Sequence, residues 1–335
     1  MSGRGPGLVE PRPGPGAGCA PLAGAATPDG GPPWGRKRGG GAARRRLLDR
    51  TIRRLLLGAA ATAILAVALI FVFLAREGLP ALAEVPLANL LGTRWQPTSS
   101  VEKAFGLLPL LNGTLLVTVC AIGLALPFGV GGALYLAEFA RPAERELLKP
   151  LLELLAAVPS VVLGFFGLVV VGPAIKQLFG LADGLNALTG GVLLALMATP
   201  TILSIAEDAL RAVPASYREA SLALGASAWT TTWRVVLPAA APGVLAAVLL
   251  GFGRAIGETM AVLMVTGNAA QLTLSPLESV RTMTATIANE MGEVVYGDTH
   301  YHVLFLVGLV LLAMTLAVNL GARRLLVRRA DSRTR

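Results

Sequence analysis

Charged side chains are rare in apolar runs of bilayer length, and this chain carries two in one such run. Arg254 and Glu258 lie within residues 239–266, a stretch longer than the about 20 residues a bilayer-spanning helix needs. On an insertion scale each charge costs roughly 2.5–3.5 kcal/mol at mid-membrane. Four residues apart in one helix, they share a face and can pair. A buried pair of this kind ties a helix to its neighbours but is weak evidence for stability, because desolvation largely offsets the attraction. The other reading is a polar pathway in which the charges meet what passes. No nucleophile–base constellation accompanies them. His300 and His302, at the edge of the last apolar run, read as interfacial anchors rather than metal ligands.

The residues just before this run have a second spacing with chemical meaning. Tyr217, Ala220 and Leu224 recur at helical spacing after Pro214, which suits a first helical turn. Gly225 breaks that helix and Ser227 is placed to cap the next, which Trp229, Trp233, Val236 and Leu237 stripe before Pro238 ends it. Two short amphipathic helices bent at a glycine, with an uncovered apolar stripe, fit a helix-in-groove contact with a partner in water. An elbow of this kind leading into a charged span suggests a coupled transporter.

Six apolar runs must hold these residues in place. The composition, 54% hydrophobic against 15% charged, excludes a soluble globular domain. The runs fall near 55–74, 107–137, 150–171, 185–205, 239–266 and 302–320. Glu153 lies in the third and receives no role. Pro159-Ser160 and Thr199-Pro200 interrupt the third and fourth, where they either line a pathway and hinge or simply kink the helix for packing. Gly123, Gly129, Gly131 and Gly132 fit close helix packing. The net charge of +9 gives no sign of nucleic acid, since the basic residues collect at the ends and in short loops. Between the spans they are split unevenly. The two termini, the 138–149 turn and the elbow hold 23 Lys/Arg, against five (Arg76, Arg94, Lys103, Lys176, Arg281) in the alternate loops. By the positive-inside rule both termini and the elbow face the cytoplasm. Cys19 and Cys120 stand in unrelated contexts, which argues against a disulfide framework.

Glu219-Ala220-Ser221, Gly225 and the closing Val235-x-Leu237-Pro238 resemble the EAA loop of ABC importer permeases, with Ser and Val as mild departures. Gly253-Arg254-Ala255-Ile256-Gly257-Glu258-Thr259-Met260-Ala261-Val262 is similar to the phosphate branch, and to its PstC-type more than its PstA-type permeases. Gly92-Thr93-Arg94-Trp95-Gln96-Pro97, Ala157-Val158-Pro159-Ser160-Val161-Val162 and the last span add to the likeness, which covers roughly residues 84–323. The resemblance implies an all-α, six-span permease of the type I (MetI-like) fold in the bacterial cytoplasmic membrane. It implies a PstA-like second permease, two copies of a PstB-like ATPase and a PstS-like phosphate-binding protein, with membrane lipid around the spans.

On this resemblance Arg254 meets phosphate, whose oxygens match a guanidinium fork. Glu258 holds the arginine and keeps the anion from binding too tightly to leave, and Thr259 completes the pathway group. Glu219, Ala220, Ser221, Gly225, Leu237 and Pro238 form the ATPase-coupling surface. The chain has no G-x4-G-K-[ST] loop, so no catalysis or cofactor is expected of it alone; ATP and Mg belong to the partner ATPase. The expected organisation is a disordered Gly/Pro-rich tail over 1–44, the first span and outer loop over 45–104, and the permease core over 105–321. The coupling loop occupies 207–238 within that core, and a basic tail follows over 322–335. The tail does not read as a signal peptide, its charged region being too long. Two rival functions use the same features: a permease for another oxyanion, molybdate or sulfate, and a channel or scaffold without ATPase coupling.

Overall fold

Backbone polar groups cannot be left unpaired in a bilayer, so apolar runs of this length become helices. A computed structural model of the chain holds six helices long and apolar enough to cross a membrane among its described residues, 41–99 and 102–331. What was expected of the segments before residue 41 and after residue 331 lies outside the described residues. Residues 1–64 and 65–335 make up separate units.

In chain order the helices are α1 (Gly41–Gly78), α2 (Leu108–Leu134, prolonged by a π-helical turn at Tyr135–Phe139), α3 (Pro142–Ala156) and α4 (Ser160–Phe179). Then come α5 (Ala187–Arg211), α6 (Ala215–Ala223), α7 (Ala228–Thr231), α8 (Leu237–Ile256), α9 (Met260–Val265), α10 (Met283–Glu290) and α11 (Thr299–Asp331). A short antiparallel ribbon pairs β1 (Trp95–Gln96) with β2 (Ala104–Phe105).

The second unit is built around α5, the most buried span, which packs chiefly against α2 and α8. Small residues allow the close approach, as helix packing without a hydrophobic drive requires. A side chain at Gly251 would run into Ile202, and one at Gly191 would stand 2.6 Å from the Cβ of Cys120. The end of α1 lies along α11, with Phe73 edge-on to Phe305 and the Glu77 carbonyl 2.8 Å from His302 Nδ1.

Several boundaries differ from the sequence reading. The third span does not run over 150–171. Pro159 disfavours a helical conformation at Val158 and itself sits at φ −58°, ψ 136° before α4. Residues 142–156 therefore form a separate amphipathic helix with no fully buried residue, and the span shifts to Ser160–Phe179. The fifth span is not continuous over 239–266, because Gly257–Thr259 separates α8 from α9. Pro238 does not end the elbow. A π-helical turn at Thr232–Val236 carries the chain from α7 into α8, and Pro238 falls in the first turn of α8, where no N–H is needed. The elbow starts after Val213, since Glu207 is still inside α5. Finally, the helices that hold the first and last spans reach out to Gly41 and Asp331, through Ala-, Leu- and Arg-rich sequence without an intervening proline.

Candidate functional site

The break between α8 and α9 is made by three residues and satisfied locally. Gly257 donates its N–H to Gly253 (3.3 Å) and Glu258 its N–H to Ala255 (3.4 Å), closing α8. Thr259 Oγ1 lies 3.4 Å from the Gly257 carbonyl. From the first turn of α10, Thr284 Oγ1 donates to the Glu258 carbonyl at 2.9 Å. The Glu258 carboxylate turns to the start of α9 and accepts from the Ala261 N–H at 3.3 Å, a contact that suits an acid at a helix start.

The expected Arg254–Glu258 pair is therefore not formed. Once α8 ends at Ile256, the four-residue spacing no longer places both side chains on one face. Among the described residues Arg254 has no acidic partner, and it is exposed on the face of α8 that it shares with the exposed Leu250, one turn before it. A side chain at Gly253 would meet nothing within 4 Å. The helix is open at Gly253, and Arg254 is the one charged residue of α8.

The other predicted pathway residues sit in tighter surroundings. Pro159 and Ser160 mark the start of α4 rather than the interior of a span. Thr199 Oγ1 bonds back to the Ala195 carbonyl at 2.7 Å, and Pro200 is buried within α5. Beside it a cleft of about 260 Å³ is lined by Lys149, Leu152, Glu153, Pro200, Thr201 and Ser204.

The elbow is assembled as its residue types require. Gly225 adopts φ +83°, a left-handed conformation that only glycine takes cheaply. That lets Ala226 N–H close back on the Ser221 carbonyl at 3.2 Å. Ser227 Oγ accepts from Thr230 N–H at 3.2 Å and caps α7, and Ser221 Oγ lies 2.9 Å from Thr231 Oγ1, joining the two short helices. Glu219 and Ala220 are exposed, and Leu224 is 89% exposed. Ser216, Tyr217, Ala220, Ser221, Leu224 and Val235 line an apolar hollow of about 440 Å³. Leu237 and Pro238 do not line it; they form the first turn of α8.

Sequence reasoning missed the residues that hold this elbow. Arg218 forks onto Glu138 at the end of α2, with Nη2–Oε1 at 2.6 Å and Nε–Oε2 at 3.0 Å. It also donates to the Val213 carbonyl (2.7 Å) and the Leu210 carbonyl (2.9 Å) at the end of α5. The hydrogen bonds to Glu138 push its guanidinium still further above its ordinary value. Nearby, Glu207 is wholly buried beneath Arg145 (Nε at 2.7 Å), Lys149 (Nζ at 3.0 Å) and Arg211 (Nη1 at 3.6 Å). Hydrogen bonding to Glu207, and then to Asp208, raises the Lys149 ammonium above its usual range. An acid in the last turns of a span, with Arg and Lys on the preceding amphipathic helix, is a signal that was available; its partners are 62 and 58 residues away in sequence.

At the opposite end of the helices, Glu290 gathers Trp95 Nε1 (3.0 Å), Arg281 Nη1 (2.7 Å) and His300 Nε2 (2.9 Å). The Gly92–Pro97 segment thus contributes a packed anchor, with Trp95 edge-on to Phe105.

Comparison with known proteins places these features in a family. Residues 125–332 match the model of the binding-protein-dependent transport system inner membrane component. A probable ABC transporter permease protein of Bacillus subtilis, YqgH, is 39% identical over 285 residues, covering 84% of this chain and 92% of that relative. The phosphate transport system permease protein PstC of Mesorhizobium japonicum is 35% identical, covering 76% and 82%, and PstC 1 of Mycobacterium tuberculosis is 38% identical, covering 65% and 71%. A bacterial ABC transporter involved in alginate import contains a chain of similar fold, with TM-score 0.56 and 15% identity, covering 83% of this chain and 99% of that one. The methionine transporter MetNI gives a TM-score of 0.50 at 21% identity, covering 67% and 94%. The chain belongs to the family of binding-protein-dependent transport system inner membrane components, the multi-pass permease subunits of ABC importers, and to its PstC-type members.

Proposed function

We propose that this chain forms half of the translocation pathway of an ATP-driven phosphate importer. The single observation that carries the reading is Arg254: an exposed guanidinium, unpaired among the described residues, in the last turn of a helix apolar enough to cross a membrane and next to the break that ends it. Uncompensated in lipid, that charge is costly; facing a pathway closed by a second permease, it is a fork matched to phosphate oxygens. Glu258 then acts through the break rather than through an ion pair, its carboxylate and carbonyl fixing the turn that aims Arg254, and Thr259 lies beside them. Phosphate enters the reading from the PstC relatives.

The 23-to-five split of Lys and Arg supports cytoplasmic termini and a cytoplasmic elbow. The uncovered stripe of Tyr217, Ala220 and Leu224 is the surface for a PstB-like ATPase, which holds the ATP and Mg, with two copies serving this chain and a PstA-like partner. A PstS-like binding protein delivers phosphate at the opposite end.

The test is uptake of labelled phosphate in cells lacking their own permease, with this chain and the partner subunits supplied. Restored uptake that unlabelled phosphate suppresses, and sulfate and molybdate do not, is the expected result. Suppression by molybdate or sulfate instead would make this a permease for that oxyanion.

A further inference from the structure

An elbow that docks on an ATPase can drive a permease only if its displacement reaches the spans, and the backbone alone is a poor lever here. Helix α6 is joined to α5 through the bend at Val213-Pro214 and to α7 through the left-handed turn at Gly225. Both joints interrupt the helical run of the backbone. Arg218 crosses the first joint. Its fork grips Glu138 on α2, and its remaining donors close on the Leu210 and Val213 carbonyls at the end of α5. A cation there also suits the negative end of α5.

The grip is stiff and shielded. Glu138 has a side-chain exposure of 9% and Arg218 one of 24%. A bidentate guanidinium–carboxylate contact fixes direction as well as distance. Glu138 lies within the π-helical turn Tyr135–Phe139, and α7 enters α8 through a second π-helical turn at Thr232–Val236. Such turns interrupt the regular ladder of a helix and recur at functional positions. The elbow is thus held at one side by Arg218 against α2 and α5, and at the other by the π-helical turn that leads into α8. Since α5 packs against both α2 and α8, a shift delivered to its end is delivered to the core of the unit.

We infer that the Arg218–Glu138 pair is the strut that converts movement of the ATPase-bound elbow into movement of α2 and α5. Arg218 is a positioning residue in this scheme: it touches neither substrate nor nucleotide. The inference rests on the ATPase-coupled reading above and not on the identity of the substrate.

The experiment uses the assembled transporter in lipid nanodiscs, with Cys19 and Cys120 replaced by alanine and Leu250→Cys, at an exposed position of α8, as the reporter. The rate at which a maleimide labels residue 250 is compared with no nucleotide and with ATP plus vanadate. In the parent the two rates are expected to differ about tenfold, within the range of allosteric couplings. Arg218→Ala and the near-isosteric Glu138→Gln should bind the ATPase and hydrolyse ATP, yet show a difference below about twofold. The exchange Arg218→Glu with Glu138→Arg should recover part of the parent's response. A parent-like response in Arg218→Ala and Glu138→Gln overturns the inference. So does loss of bound ATPase in both, because the pair would then shape the docking surface rather than transmit its motion. A parent whose labelling ignores nucleotide overturns both the strut and ATPase coupling. A parent that responds to nucleotide but imports no phosphate leaves the strut in place and removes only the substrate.

Discussion

Replacing Glu207 by glutamine tests whether the buried acid organises the elbow end of the helices. The carboxylate is wholly buried, with Arg145 Nε at 2.7 Å, Lys149 Nζ at 3.0 Å and Arg211 Nη1 at 3.6 Å. Removing one member of a fully buried ion pair costs about 3–5 kcal/mol. Here the cations are 30%, 27% and 46% exposed, so water screens and rehydrates them. An amide also still accepts from Arg145, and the expected loss falls to about 1–2 kcal/mol. Thermal unfolding of the purified complex in detergent reads this as a lower midpoint. A double-mutant cycle with Lys149→Gln should return a coupling of at least about 0.5 kcal/mol.

The same cluster fixes a pH dependence. Lys149 is raised above its unfolded value by the hydrogen bond to Glu207. Its contribution is therefore complete below about pH 10.4 and is lost as pH rises through the folded value. The gap between parent and Glu207→Gln should narrow above that point. A gap that widens there, or a variant as stable as the parent at neutral pH, refutes the reasoning.

Substitutions at four further positions probe the elbow, two glycine environments and the break between α8 and α9. Gly225→Ala forces a Cβ into φ +83°; it should weaken the elbow by about 1 kcal/mol and lower recovery of the ATPase, with Gly225→Asn milder. Gly113→Ala drives a Cβ into the Arg281 carbonyl and should cost about 1–3 kcal/mol of thermal stability. Gly253→Ala meets nothing within 4 Å in this chain, so stability should hold or rise by up to about 1 kcal/mol. Phosphate uptake should nevertheless fall if, as proposed, Arg254 faces the pathway, because the added methyl group stands beside it; unchanged uptake would move that face away from the pathway. Thr284→Val removes the 2.9 Å bond to the Glu258 carbonyl; a loss of about 1 kcal/mol in stability is expected, and uptake should drop with it.

Local signals in the sequence were readable where one residue type has one physical use. Gly225 ends α6 in the left-handed region and Ser227 caps α7, as their chemistry dictates. The apolar runs were equally plain, because length and composition decide whether a segment can cross a bilayer. The third span was misplaced because residues 150–158 are apolar enough to continue it, and Pro159 could be read as a kink inside a span as easily as a boundary. The break after Ile256 was hidden for a related reason. Gly257, Glu258 and Thr259 are flanked by apolar residues on both sides, and what stabilises the break, the Thr284 hydroxyl, arrives from 26 residues away. Arg218 and Glu138 lie 80 residues apart; no periodicity connects such a pair, and only packing brings it together.

The central claim is that Arg254 belongs to the pathway. Phosphate-limited uptake should be measured in cells lacking their own permease, comparing the parent with Arg254→Ala and Arg254→Lys at matched membrane abundance and with the ATPase co-purified. Because a lysine keeps the charge but not the fork, uptake is predicted to be lost in Arg254→Ala and only partly kept in Arg254→Lys, with assembly intact in both. Normal uptake by Arg254→Ala would contradict the account and make the open face of α8 a structural surface.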